Sequence, residues 1–174
     1  KSLTLGTASV GGTYFIYGGV VATLLTEKLG IQVSTQQTQG PVSNLMLVNS
    51  KKIELGMTTL GPALQAWNGV AWAKDNGPMR NMRAVFPMYD TPFHFVTLKS
   101  SGIKSVADMK GKNVGVGPKA GTCGTYFPMM FDALGMKVTI RNGGASDMGS
   151  QLGDGLLDVF AFCAGVPISA FSAV

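Results

Sequence analysis

Small hydroxyl-bearing residues and glycines gather at a few places in this 174-residue chain, and they do so twice. Ser9, Gly11, Gly12, Thr13 and Tyr14 stand in Gly6-Thr-Ala-Ser-Val-Gly-Gly-Thr-Tyr-Phe15, and Gly121, Thr122, Gly124, Thr125 and Tyr126 stand in Gly117-Pro-Lys-Ala-Gly-Thr-Cys-Gly-Thr-Tyr-Phe127. Ser43 and Asn44 follow a first Gly-Pro break, and Ser146 and Asp147 follow a Gly-Gly break. Thr58 and Thr59 come after the run Ile53-Glu-Leu-Gly-Met57, and Gly165 comes after Leu157-Asp-Val-Phe-Ala161. Neutral hydroxyls and main-chain N–H groups of this kind can hold an anion. A hydrogen bond to a charged group contributes roughly 1.5–3 kcal/mol, and three or four approach the roughly 8 kcal/mol of micromolar binding. Ser9, Thr13, Ser43, Thr125 and Ser146 also read as ordinary helix N-caps without a ligand.

Cys123 lies at the start of an expected helix, where a thiol pKa falls, so it is a candidate nucleophile with His94 as its only histidine partner. The other reading pairs Cys123 with Cys163 in a disulfide, because the first and third strands of such a unit are neighbours. Two free thiols are the remaining alternative. An enzyme would use Cys123, or an acid such as Asp147 or Asp158. Neither glycine loop ends in Gly-Lys-Ser/Thr and neither has the Gly-x-Gly-x-x-Gly spacing, which argues against nucleotide phosphate binding. One histidine and two cysteines leave no His-rich centre and no Cys-based zinc site, so neither a metal nor a cofactor is expected.

The elements needed to position these loops also repeat. Leu3 to Thr7 alternates as a strand, and Thr13 to Lys28 carries apolar residues at helical spacing and is closed by Gly30. Val33 to Thr38 is a second strand, Ser43 to Asn49 a helix, Leu55 to Thr58 a third strand, and Pro62 to Trp72 a further helix. Ala84 to Met88 and Phe93 to Leu98 read as strands belonging to neither copy. Ser105 and Asp108 have a capping-box spacing. The second copy starts at Asn113, and the chain stops at what reads as the opening of another helix. Two tandem β-α-β-α-β units are therefore expected: a first lobe over residues 1–88, a crossover and hinge over 89–98, and an incomplete second lobe over 99–174. Ligands of open α/β sheets lie beyond the carboxyl ends of the strands, so the two glycine loops are expected to face each other across a crevice.

Composition is compatible with this. With 45% apolar and 13% charged residues the chain can bury a core, and its net charge of +5 is dispersed rather than gathered in a stripe. Nucleic-acid binding is disfavoured, while a mild attraction for small anions remains. Lys119 and Arg141 flank second-copy loops and would add at most one long-range charge. No apolar run approaches the roughly 18–20 residues of a membrane span, so a soluble chain is expected. It begins at Lys1 without a methionine or a secretory signal pattern, as a mature chain or a fragment does. Trp67 and Trp72 read as core and lobe surface.

Gly6 to Tyr14, Thr38-Gln-Gly-Pro-Val-Ser-Asn-Leu45 and Ile53-Glu-Leu-Gly-Met57 together resemble the TAXI family, the extracytoplasmic solute receptors of tripartite ATP-independent periplasmic (TRAP) transporters. The resemblance continues through Ser101-Gly-Ile-Lys-Ser-Val-Ala-Asp-Met-Lys-Gly-Lys112 and Gly121-Thr-Cys-Gly-Thr125 to Asp158 and Gly165-Val-Pro167. It implies a two-lobed, type II periplasmic-binding-protein fold of α/β class that closes on a small organic anion, a dicarboxylate or an acidic amino acid such as glutamate or 2-oxoglutarate. It also implies a periplasmic location, membrane components of a TRAP transporter as partners, and no catalysis. On the matching positions Ser9, Gly12, Thr13, Tyr14, Ser43, Asn44, Thr58, Tyr89, Thr122, Thr125 and Gly165 are expected to line the ligand site. Two departures stand out: Cys123 occupies a slot where small polar residues are usual, and the sequence ends before family members do.

Overall fold

The computed structural model describes residues 2–174. Its main elements are, in order, β1 (Ser2–Gly6), α1 (Thr13–Leu29), β2 (Gln32–Gln36), α2 (Pro41–Asn49), β3 (Leu55–Gly56), α3 (Leu60–Asn68), β4 (Phe93–Val96), β5 (Asn113–Gly115), α4 (Thr122–Ala133), β6 (Thr139–Arg141), α5 (Ala145–Gly153), β7 (Val159–Cys163) and α6 (Ser169–Ser172). They form two compact units. Unit 1 comprises residues 2–9, Tyr14–Tyr89 and Ala120–Thr122; unit 2 comprises Val10–Thr13, Asp90–Lys119 and Cys123–Val174.

Unit 1 holds a parallel sheet in the order β2-β1-β3. Parallel neighbours require a crossover between them, and α1 and α2 supply it. The register runs from Ser2 opposite Gln32 to Gly6 opposite Gln36, with Gly6 also opposite Gly56. Leu5, Val33 and Met57 from the sheet side pack against Tyr14 and Ala22 of α1. A second small cluster joins Leu45 of α2 to Ala66, Ala73 and Met79.

Unit 2 holds a mixed sheet in the order β4-β7-β5-β6, with β4 antiparallel to β7 and the other pairs parallel. All five residues of β7 are buried. Side chains alternate across a strand, so Val159, Ala161 and Cys163 join Phe127 and Phe131 on one face. Phe160 and Phe162 join Met148, Leu152 and Ile168 on the other.

Several expected elements differ in extent. The helix expected over residues 62–72 starts at Leu60 and stops at Asn68, because Gly69 takes a left-handed conformation and its N–H bonds Ala66 O; a separate 3-10 turn follows over Ala71–Asn76. A Cβ on Gly69 would sit 2.5 Å from Pro78 N, so the chain turns where only glycine fits. Residues 84–88 form no strand: Val85 and Phe86 are exposed, and Pro87 has no N–H to give a ladder. Of the segment read as crossover, residues 90–98 lie in unit 2, where β4 pairs Phe93 with Cys163. At the capping-box position Asp108 Oδ2 accepts from Ser105 N, Ser105 Oγ and Lys104 N, which holds its carboxyl below the usual range. No helix among the described residues is long and apolar enough to cross a membrane.

Candidate functional site

The carboxyl ends of β1 and β3 in unit 1 are tied together by one side chain. Asn44, the fourth residue of α2 and 1% exposed, donates through Nδ2 to Gly6 O (3.1 Å), Thr7 O (2.7 Å) and Met57 O (2.7 Å). Its Oδ1 accepts from Thr38 Oγ1 at 2.7 Å, and Thr38 Oγ1 in turn accepts from Gly40 N at 3.0 Å. The helix reaches this close because β1 ends in glycine: a Cβ on Gly6 would lie 2.6 Å from Asn44 Oδ1. Asn44 is thus a brace whose amide is spent on the backbone, and its spending shapes the loops that carry the other candidates.

Unit 1 also holds Ser9 and Tyr14, both buried, with Ser43 on the first turn of α2 and Thr58 after β3. Thr59 Oγ1 lies 3.0 Å from Thr122 Oγ1, and Val42 N donates to Ala120 O at 3.1 Å, which brings Ala120–Thr122 into unit 1. Tyr89 closes the unit, its ring edge-on to Tyr17 (5.1 Å) and Tyr14 (6.2 Å). The Tyr89 hydroxyl is buried without a hydrogen-bond partner. Desolvation, with the neighbouring Tyr14 and Tyr17 hydroxyls, pushes its pKa well above the ordinary phenol value, so it stays a neutral donor.

Unit 2 holds Gly12, Thr13, Thr125 and Gly165. Val10 O accepts from Ser146 N at the second residue of α5, and Gly11 O accepts from Ala170 N and Ser169 Oγ, each at 3.1 Å. Thr13 Oγ1 donates to Gly165 O. Thr125 is half-buried on α4, and Gly165 and Gly12 are buried. The candidates therefore divide: Ser9, Tyr14, Ser43, Asn44, Thr58, Tyr89 and Thr122 belong to unit 1, the other four to unit 2. Lys119, Arg141, Ser146 and Asp147 are exposed.

The nucleophile reading of Cys123 fails here. Cys123 is bonded to Cys163, with Cα atoms 5.3 Å apart, so the thiol is consumed. Its supposed base, His94, has Nε2 2.9 Å from Ala164 O and its ring edge against Phe171. Trp67 carries Arg80 over its ring at 4.3 Å, a surface cation–π contact, and Trp72 Nε1 donates to Pro62 O. Among the described residues no three His, Cys, Asp or Glu side chains converge as a metal site would require. Sequence reasoning missed the structural part of Thr38 and the hydroxyl pairing of Thr59; the only signal was their position after strands, which does not distinguish a brace from a ligand contact.

The model of the NMT1-like family matches residues 5–174. The chain belongs to the NMT1-like family. This family member is also similar in structure to the alkanesulfonate-binding protein SsuA of Xanthomonas axonopodis pv. citri bound to MOPS, with a TM-score of 0.59 at 16% identity over 92% of this chain and 54% of that one. A structure concerned with glutathione import via GshT and the cystine ABC importer TcyBC of Streptococcus mutans gives a TM-score of 0.64 at 17% identity, over 99% and 70%. An ABC uptake transporter substrate-binding protein from Streptococcus pneumoniae with bound histidine gives 0.61 at 18%, over 98% and 68%. At these identities the likeness is one of fold, and that fold is the α/β, two-lobed fold of periplasmic binding proteins. The NMT1-like chain spans about half the length of the Xanthomonas protein.

Proposed function

We propose that this protein is an extracytoplasmic solute receptor: it captures a small organic anion in the periplasm, performs no chemistry on it, and delivers it to the membrane components of a TRAP transporter. The ligand class is a dicarboxylate or an acidic amino acid, with glutamate and 2-oxoglutarate as the first candidates. The observation that carries the reading is the recurrence of neutral donors after the parallel strands of both units, where Ser9, Ser43 and Thr58 in one and Thr13 and Thr125 in the other stand without a cation among them, with Tyr89 beside Tyr14. The TAXI resemblance of the same loops supports the TRAP assignment, and the bound MOPS and histidine in proteins of the same fold support a small, charged ligand. With Cys123 in a disulfide, the enzyme alternative loses its thiol nucleophile.

Isothermal calorimetry with L-glutamate, 2-oxoglutarate, a series of dicarboxylates, and histidine and MOPS as contrasts tests the reading. Micromolar binding of a carboxylate, without turnover of it, is expected. Direct hydrogen bonds to a desolvated anion are poorly screened, so affinity should weaken only slightly from low to moderate salt. Preference for the sulfonate or histidine, or affinity lost in both Lys119→Ala and Arg141→Ala, would overturn the carboxylate and neutral-donor parts respectively. Ligand uptake by vesicles carrying TRAP membrane components, dependent on this protein, checks the partner.

A further inference from the structure

Helix α3 turns its large apolar side chains outward. Ala63 and Ala66 pack inward with Leu45, Ala73 and Met79, whereas Leu60, Leu64 and Trp67 share the opposite face and are 90%, 63% and 39% exposed. Cations stand beside that face. Arg80 lies over the Trp67 ring at 4.3 Å and Arg83 at 5.9 Å, and Arg83 is held there by donating to the carbonyls of Arg80 and Met82. Asn81, between the two arginines, donates from its N and Nδ2 to Asn49 Oδ1 and O, which brings the end of α2, and the Lys51-Lys52 pair just beyond it, next to the arginine segment. All four cations are exposed, and among the described residues none is paired with a carboxylate. The whole constellation lies in unit 1.

Gathering like charges and leaving large apolar side chains in water both cost free energy. An anionic bilayer surface relieves both, since its phosphates take the cations while Leu and Trp side chains enter the boundary between headgroups and acyl chains. An acidic peptide would match the charge and leave the Leu60–Leu64–Trp67 row in water. We propose that this face of α3, with the four cations beside it, is a docking surface for anionic phospholipid. The net charge of +5 adds a long-range attraction of the same sign. This goes beyond the receptor reading and is independent of which solute is bound.

The experiment is cosedimentation of the protein with vesicles of phosphatidylglycerol in phosphatidylcholine, set against vesicles of phosphatidylcholine alone. Binding to the anionic vesicles only is expected, weakening as salt rises. Tryptophan emission should shift to the blue on those vesicles, and the shift should be absent in Trp67→Phe. Each cation removed should weaken binding about fivefold, so Lys51→Gln/Lys52→Gln/Arg80→Gln should lose about a hundredfold. The control Lys99→Gln/Lys110→Gln/Lys137→Gln removes the same charge from exposed positions of unit 2 and should lose less than about fivefold. Leu64→Ser should lose about fivefold through the apolar contact alone. No binding, an unshifted emission, or an equal loss in the unit 2 control would each overturn the proposal, and tighter binding to poly-L-glutamate than to the vesicles would overturn it in favour of an acidic protein partner. If the triple variant of the patch does not fold, Lys52→Gln and Arg80→Gln, each expected to lose about fivefold, decide the question singly.

Discussion

Asn44 in unit 1 and Met148 in unit 2 occupy equivalent places and work by opposite chemistry. Each is the fourth residue of the second helix in its unit, each is almost fully buried, and each lies over the glycine that ends a parallel strand, β1 or β5: a Cβ on Gly6 would meet Asn44 Oδ1 at 2.6 Å, and one on Gly115 would meet Met148 Sδ at 2.8 Å. Asn44 gathers carbonyls from two strand ends into a polar brace. Met148 packs with Leu157 and Phe160 in an apolar cluster. The first helices diverge in the same way. In unit 1, Tyr14 on the first turn of α1 is held by aromatic packing on Tyr89, whereas in unit 2 the first turn of α4 is held by a covalent bond. A repeated backbone plan thus fixes where an anchor is needed and leaves its chemistry free.

The largest expected effect breaks the polar brace. Asn44→Ala removes the bonds to Gly6 O, Thr7 O, Met57 O and Thr38 Oγ1, although Gly6 O keeps Met57 N and Thr7 O keeps Thr38 Oγ1; at about 1 kcal/mol net for each bond lost, a loss of about 4 kcal/mol in denaturant unfolding is expected. A loss below about 1 kcal/mol would show that the brace is dispensable. Next comes the covalent anchor. Opening a loop between residues 40 apart in sequence should cost Cys123→Ala/Cys163→Ala about 3 kcal/mol, read from the same unfolding curves. Tyr89→Phe should move the other way: removing a buried hydroxyl with no partner gains about 1 kcal/mol in the ligand-free protein, while weakening carboxylate binding in calorimetry if that hydroxyl is a ligand donor. The smallest change tests the apolar member of the pair. Met148→Leu conserves volume and should cost less than about 1 kcal/mol, and a cost near that of Asn44→Ala would erase the distinction between the two braces.

Much of the fold was legible because its signals are local. The alternation of Leu3 to Thr7, the helical spacing after Thr13, the closing Gly30 and the Ser105–Asp108 spacing each depend on a few neighbouring residues, and each element is present. The helix expected through Trp72 failed because periodicity continued past Gly69 while the backbone did not. The strand expected over residues 84–88 failed because its apolar residues found no partner strand. Candidate site residues were located by position relative to strand ends, yet position could not show that Asn44 turns its amide onto the backbone while Tyr89 keeps its hydroxyl unpaired.

The sequence by itself determined the tandem plan, the α/β class, the placing of glycine- and hydroxyl-rich loops at strand ends, and the two readings open to Cys123. These follow from short-range periodicity and from which residue types can donate hydrogen bonds. Only the tertiary structure decided that Cys123 meets Cys163, that Val10–Thr13 and Ala120–Thr122 each pack in the unit opposite to the one their neighbours suggest, and that Asn44 is a brace. Those outcomes depend on atoms brought into contact from positions as far apart in sequence as Gly11 and Ala170. Separations of that length are set by how the strands order and how the helices dock, which no local pattern records.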